Sequence, residues 1–148
     1  MTHAPRTRPV FTPPGGPPQG SRPSSAIFEA MGEDGLFAMF EAFYSELGES
    51  DVRHLFPEDL LTASQRSAAF FVQLLGGPPL FSERYGPPRM RQRHLPFEID
   101  DAARQVWLAC FDKILNDAPA RFGFPEEQLA GFREFLTSFS TWMVNVES

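Results

Sequence analysis

The stretch Arg89-Met90-Arg91-Gln92-Arg93-His94-Leu95-Pro96-Phe97 sets one histidine after three arginines and before a proline, with Trp107 following in an apolar segment. Neutral imidazole is the commonest metal-binding side chain. No cysteine or second histidine stands at ligand spacing, so a multi-residue zinc site is not indicated. A lone histidine among aromatic residues suits another chemistry, that of the single protein ligand to a haem iron. The blander use of such a residue is a satisfied core histidine.

Haem needs an axial donor, apolar walls and cations for its two carboxylates. One helical turn cannot point Arg89, Arg91 and Arg93 the same way. One or two of them, Arg93 foremost, are candidate carboxylate partners because a guanidinium suits carboxylate recognition. The alternative for each is an ordinary solvated charge. The sequence has no Cys-x-x-Cys-His motif, so covalent attachment is excluded and the expected cofactor is non-covalent haem b. His3 lies in the N-terminal tail and His54 on a polar turn beside Arg53, so neither is an attractive second iron ligand. One axial face would stay open for a diatomic molecule.

The whole chain supports a site of this kind. Its 148 residues suit one domain, and sixteen Phe, two Trp and two Tyr exceed what a helical core of this size needs, unless phenylalanine simply fills that core. The net charge of −6 argues against a nucleic-acid partner, whose phosphates require a concentrated positive surface. The single cysteine, Cys110, allows no intrachain disulfide and reads as an inert core thiol. No run approaches the ~18 apolar residues of a membrane span, and no secretory leader is visible, so a cytoplasmic, non-membrane protein is expected.

Positioning falls to helices. Residues 1–23 hold seven prolines, three glycines and almost no large apolar side chain, and read as a disordered tail before a domain over 24–148. Ser24 or Ser25 is expected to cap a short helix ending at Gly32. A second helix is expected over 34–47, with Phe37, Phe40, Tyr44 and Leu47 on one face. A tight turn at 51–55 stops before Pro57. A third helix is expected from Leu61 or Thr62 to Leu75, burying Ala63, Ser67, Phe70, Phe71 and Leu74. Four prolines and three glycines make residues 76–88 a long loop. Little more than one turn is expected at 90–95. A strong helix runs from Asp100 or Asp101 to Leu115, with Val106, Trp107, Cys110, Phe111 and Ile114 inward. Pro125 opens the last helix, with Leu129, Phe132, Phe135, Leu136, Phe139 and Met143 on one side. No β alternation is present, so the fold class is all-α.

These residues also carry a resemblance. Phe43-Tyr44, Phe56-Pro57-Glu58-Asp59, Gly76-Gly77-Pro78, Phe81-Ser82-Glu83, the run Arg89 to Phe97 and Val106-Trp107-Leu108 together resemble the group II truncated haemoglobins, from about residue 26 to the end. The resemblance implies a truncated globin fold, a two-over-two helical sandwich with a long loop before the proximal histidine. It makes His94 the iron ligand and turns the Tyr44 hydroxyl and the Trp107 indole N–H toward the bound gas. Phe56 becomes a pocket wall, Ala63 and Ser67 face the iron from the distal helix, and Arg66 reaches a propionate. Phe70, Phe71, Met90, Arg93, Phe97 and Ile99 complete the expected haem contacts. The chain departs from the family at Phe56, often tyrosine in relatives, and at Ser67, where an apolar residue or glutamine is commoner. It also departs at Phe81, commonly tyrosine, and at Gly86-Pro87-Pro88, where Gly-His-Pro is usual.

The function expected from this is reversible binding of oxygen and other diatomic gases, nitric oxide and carbon monoxide included, within the general role of oxygen transport. An unidentified reductase is expected as a partner, and a homodimer is left open. An enzyme reading competes with it, in which the same haem reacts with peroxide or disposes of nitric oxide. A small cofactor-free interaction protein with a working proline-rich tail is the third class.

Overall fold

A computed structural model of the chain describes residues 10–17 and 22–147. The described residues form six α-helices and no strand: α1 (Ala26–Gly48), α2 (Leu60–Leu74), α3 (Leu80–Tyr85), α4 (Met90–His94), α5 (Asp101–Phe122) and α6 (Leu129–Met143). Two short 3₁₀ turns, Arg53–Leu55 and Glu126–Gln128, complete them. The helix α1 packs on both α2 and α5, and α5 packs on α6, so two helix pairs meet through α1 and α5.

The two helices expected on either side of Gly32 are both present, and the span α1 joins them across a kink where Gly32 leaves helical dihedrals at φ 69° and ψ 178°. Only glycine adopts such a backbone without strain. The buried stripe of α1 is Leu36, Met39, Phe40, Phe43, Tyr44 and Leu47. Phe37, expected on that face, is half-buried, and the Arg84 guanidinium lies 6.0 Å from its ring.

The helix α2 begins one residue before the expected start, because the Asp59 carboxylate accepts from the Thr62 N–H at 3.1 Å and the Thr62 hydroxyl at 2.7 Å. Its buried face centres on Ala68 and Ala69 and includes Ala63, Ser64, Phe71 and Val72, while Ser67 and Phe70 are only half-buried. Past the helix end, Gly76 turns the chain at φ 95° and the Gly77 N–H reaches back to the Val72 carbonyl at 2.9 Å.

The long loop expected over 76–88 is corrected by α3. Its prolines and glycines sit at the two ends and leave Leu80–Tyr85 free to coil. That short helix is pinned by Phe81, which is fully buried, and by the Gln73 carboxamide, which donates to the Ser82 hydroxyl and accepts from its N–H, both at 2.9 Å. The helix α5 is also longer than expected. It continues seven residues beyond Leu115, carries Pro119 internally, and ends at Gly123 in the left-handed conformation. Phe111 and Ile114 are buried on it as expected, whereas Val106, Trp107 and Cys110 are half-buried. Burial raises the Cys110 thiol's pKa, and the nearby Glu46 carboxylate adds to the rise, so it remains an unreactive thiol. Pro125 precedes a 3₁₀ turn, not α6 itself.

Rings of Phe40, Phe43, Phe71, Phe111 and Phe132 form the centre, with Phe43 and Phe111 4.1 Å apart and Phe40 and Phe71 4.8 Å apart. Part of the phenylalanine surplus therefore simply fills the core. No helix among the described residues is long and apolar enough to cross a membrane. Residues 10–17, placed by the sequence reading in a disordered tail, lie against the C-terminal segment, where the Phe11 N–H donates to the Asn145 carbonyl at 2.9 Å. The rest of that expectation, over 1–9 and 18–21, lies outside the described residues.

A Cβ on Gly77 would meet the Phe28 ring and Val72 Cγ1, each at 2.8 Å. Gly77→Ala should therefore cost about 1–3 kcal/mol through overpacking, read as a lowered denaturant midpoint with an unchanged slope.

Candidate functional site

The helix α4 is five residues long, entered through Arg89 at φ 36° and followed by Leu95 and Pro96. Arg89 is the one non-glycine residue with positive φ among the described residues. His94 closes this turn. Its Nδ1 lies 2.6 Å from the Met90 carbonyl oxygen. A carbonyl only accepts, so Nδ1 carries the proton and Nε2 keeps its lone pair. Burial lowers the imidazole's pKa, with the Met90 hydrogen bond opposing in part, so the ring is neutral and ready to coordinate.

Nε2 is available beside a cavity of about 560 Å³, within the size range of cofactor sites. Its lining brings together the residues the sequence singled out for a haem site, except Arg89 and Arg91, which do not line it. Tyr44 of α1 and Trp107 of α5 lie in it with Ala63 and Ser67 of α2. Phe56, Phe70 and Phe71 supply apolar wall, Met90, Phe97 and Ile99 flank His94, and Arg66 and Arg93 stand at exposed positions.

The lining includes the hydroxyls of Tyr44 and Ser67 and the Trp107 indole. The Tyr44 hydroxyl lies 2.5 Å from Ser67 Oγ, a contact the sequence did not suggest. Burial raises the Tyr44 pKa, against smaller lowering effects of the Ser67 hydrogen bond and the Arg66 charge, so the phenol keeps its proton. Its ring stands edge-on to Phe43 and Phe56, each at 5.6 Å. Phe43 and Phe111 likewise hold the Trp107 ring, at 5.6 and 5.3 Å. The Trp107 indole N–H has no protein acceptor among the described residues.

The arginines divide by partner. Arg93 lines the cavity, but its Nε and Nη2 donate to the carbonyls of Tyr85, Pro87 and Pro88, and its guanidinium sits 4.9 Å from the Phe81 ring. It ties down the residues between α3 and α4. Arg91 turns away, toward the carbonyls of Trp142, Val144 and Phe11. Among the described residues Arg66 has no such commitment beyond the Tyr85 ring, 5.3 Å from its guanidinium, which leaves its donors for an anion at the rim.

Other wall residues were not foreseen. Arg104 holds Ser140 Oγ at 3.0 Å across α5 and α6, and no local pattern in the sequence marks it. Phe139 and Met143 belonged to the apolar stripe of the last helix, which revealed burial without revealing a pocket. His54, set aside as a polar-turn residue, also lines the cavity while remaining exposed.

A family model described as Bacterial-like globin matches residues 26–145. Group 2 truncated hemoglobin YjbI of Bacillus subtilis is 36% identical over 113 residues, covering 76% of this chain and 80% of that protein. The chain belongs to the group II truncated haemoglobins. Among solved structures, phosphate-bound Hell's gate globin IV superposes with a TM-score of 0.80 at 36% identity, covering 88% of this chain and 81% of that one. The group II truncated haemoglobin of Bacillus anthracis gives 0.74 at 32% identity, covering 88% and 96%. The globin is thus a haem protein that binds a gas ligand. The truncated haemoglobin fold leaves a neutral imidazole, an apolar space and a free rim arginine together, all of which fit haem.

The buried Tyr44 phenol has a testable signature. Its folded pKa lies above the ordinary value of 10.0, so the unfolded chain loses this proton first. Folding stability is then intact below that value and falls as pH climbs through the folded one. In Tyr44→Phe, urea midpoints between about pH 9 and 11 should fall less steeply than in the parent chain. An equal fall would show that Tyr44 is not the titrating group.

Proposed function

We propose that this globin reversibly binds oxygen and related diatomic gases at a non-covalent haem b, with His94 as the iron ligand and Tyr44 and Trp107 as hydrogen-bond donors to the gas. The observation that carries this is one apolar cavity holding an imidazole with a free Nε2 lone pair, a protonated phenol and an indole N–H without a protein acceptor. Haem, when bound, supplies an iron with a coordination position open to a small gas.

The chain's own residues do the rest. Met90 fixes the tautomer and tilt of His94 through Nδ1. Phe56, Phe70 and Phe71 keep water from the apolar walls, Met90, Phe97 and Ile99 close the side near His94, and small Ala63 leaves room for entry. Arg66 offers a guanidinium to a propionate, while Arg93 acts mainly by bracing the residues before α4.

Ser67 decides what Tyr44 can give. When the Ser67 hydroxyl donates to Tyr44 Oη, the phenolic proton is free for the gas; when Tyr44 donates to Ser67, it is not. Trp107 has no such competitor. A hydrogen bond to a ligand that gathers negative charge contributes on the order of 1.5–3 kcal/mol, or roughly ten- to a hundredfold in affinity. Oxygen is then retained and slowly released. A reductase that keeps the iron ferrous and a reducing, cytoplasmic setting belong to the same reading.

His94→Ala should lose the Soret band of the haem-supplied protein, or recover it only with added imidazole. An unchanged spectrum would remove His94 as ligand. Trp107→Phe should speed oxygen dissociation by ~10-fold, the worth of one such hydrogen bond, in stopped-flow measurement. An unaltered rate would assign the stabilisation to Tyr44 or Ser67.

A further inference from the structure

The helix carrying His94 cannot hold its own place. Five residues make about one and a half turns, far below the length at which a helix is stable alone. Its start is left-handed Arg89 and Pro96 follows closely, so neither end extends it. Something else must hold the turn.

Asn145 does so from inside. It is fully buried just beyond α6, and its carboxamide Nδ2 donates to the carbonyls of His94 at 3.1 Å and Phe97 at 2.8 Å. Its Oδ1 accepts the Ile99 N–H at 3.1 Å, and its own N–H donates to the Ile99 carbonyl at 2.9 Å. One side chain thus satisfies three main-chain groups of the segment that leaves His94. Arg91 works from the other side of the same turn. Its Nη1 donates to the carbonyls of Trp142 and Val144, the latter at 2.9 Å, and its guanidinium rests 4.4 Å from the Trp142 ring.

The N-terminal segment closes over both. Arg91 Nη2 donates to the Phe11 carbonyl at 2.8 Å, the Phe11 N–H donates to the Asn145 carbonyl at 2.9 Å, and Pro13 is buried. Both of these hydrogen bonds use Phe11 main-chain atoms, and its half-buried side chain shares a small pocket with Thr141, Val144 and Val146.

We propose that Asn145 is the positioning residue for His94, and that Arg91 and the strap at residues 10–13 form the outer half of the same clamp. The clamp sets how firmly the imidazole is presented to the cavity, and an unseated strap loosens it. This rests on the reading of His94 as haem ligand, but the clamp itself can be measured without haem.

The haem-supplied full chain is compared with Asn145→Asp, which keeps the shape and Oδ1 while losing both Nδ2 donors, with Arg91→Lys, and with a chain lacking residues 1–14. Two readouts are taken: amide hydrogen exchange along the chain, and the iron–histidine stretching band in resonance Raman of the ferrous, ligand-free protein. Asn145→Asp should speed exchange at residues 94–99 by on the order of tenfold or more, leave α1 unchanged, and shift or broaden the band. The other two chains should move both readouts the same way by less.

A folded Asn145→Asp protein with unchanged exchange and band overturns the proposal, and so does acceleration spread evenly over all helices, which marks a merely structural residue. Should Asn145→Asp fail to fold, unchanged readouts in both Arg91→Lys and the shortened chain overturn it instead. A parent chain with no Soret band defeats the haem reading alone, and exchange at 94–99 in the cofactor-free chains then decides the clamp by the same outcomes.

Discussion

A histidine on a helix of five residues has almost no local support, so its hydrogen bond from Nδ1 to the Met90 carbonyl is what the rest of the site depends on. That bond fixes the tautomer, leaves the Nε2 lone pair free, and lets burial keep the ring neutral without orphaning a polar atom. In the proposed function the apolar walls, the Tyr44 and Trp107 donors and Arg66 acquire a chemical meaning only because this neutral imidazole stands among them.

The aromatic core performs two tasks that pull against each other. Phe40, Phe43, Phe71, Phe111 and Phe132 pack closely enough to hold α1, α2, α5 and α6 together. Beside them the same helices leave an open cavity. Such a void is costly when empty, because its lining loses contact partners. A flat apolar guest would restore them, and Phe43, Phe71 and Trp107 form the border between filled core and cavity. Tyr44 and Ser67 sit on that border as a hydroxyl pair, so the availability of the Tyr44 proton is set by a neighbour one helix away.

Much of this was legible beforehand for a physical reason in each case. The helical repeat of apolar residues revealed α1, α2, α5 and α6, and Asp100 marked the start of α5 because its carboxylate caps the Ala103 N–H at 2.8 Å. Elsewhere local signals misled. Prolines and glycines around residues 76–88 suggested unbroken loop, yet the buried Phe81 and the Gln73 carboxamide stabilise α3 from a distance. The helix expected to stop at Leu115 continues through Pro119 to Phe122 and ends at left-handed Gly123. The arginines before His94 were alike by type, and only their partners separate them: Arg93 braces loop carbonyls and Arg91 grips the C-terminal segment.

By itself the sequence determined the fold class and the globin family, and it named residues that the fold gathers around one cavity, because residue type and spacing are local properties that a short run of chain can express. Where those residues meet, and which donor is spent on which acceptor, was decided by tertiary structure. Asn145 shows the difference most plainly: an unremarked polar residue near the C-terminus, it becomes fully buried with its carboxamide on His94, Phe97 and Ile99. Nothing within forty residues of it in the chain signals that role. Hydrogen bonds between distant segments exist only once the helices have brought those segments together.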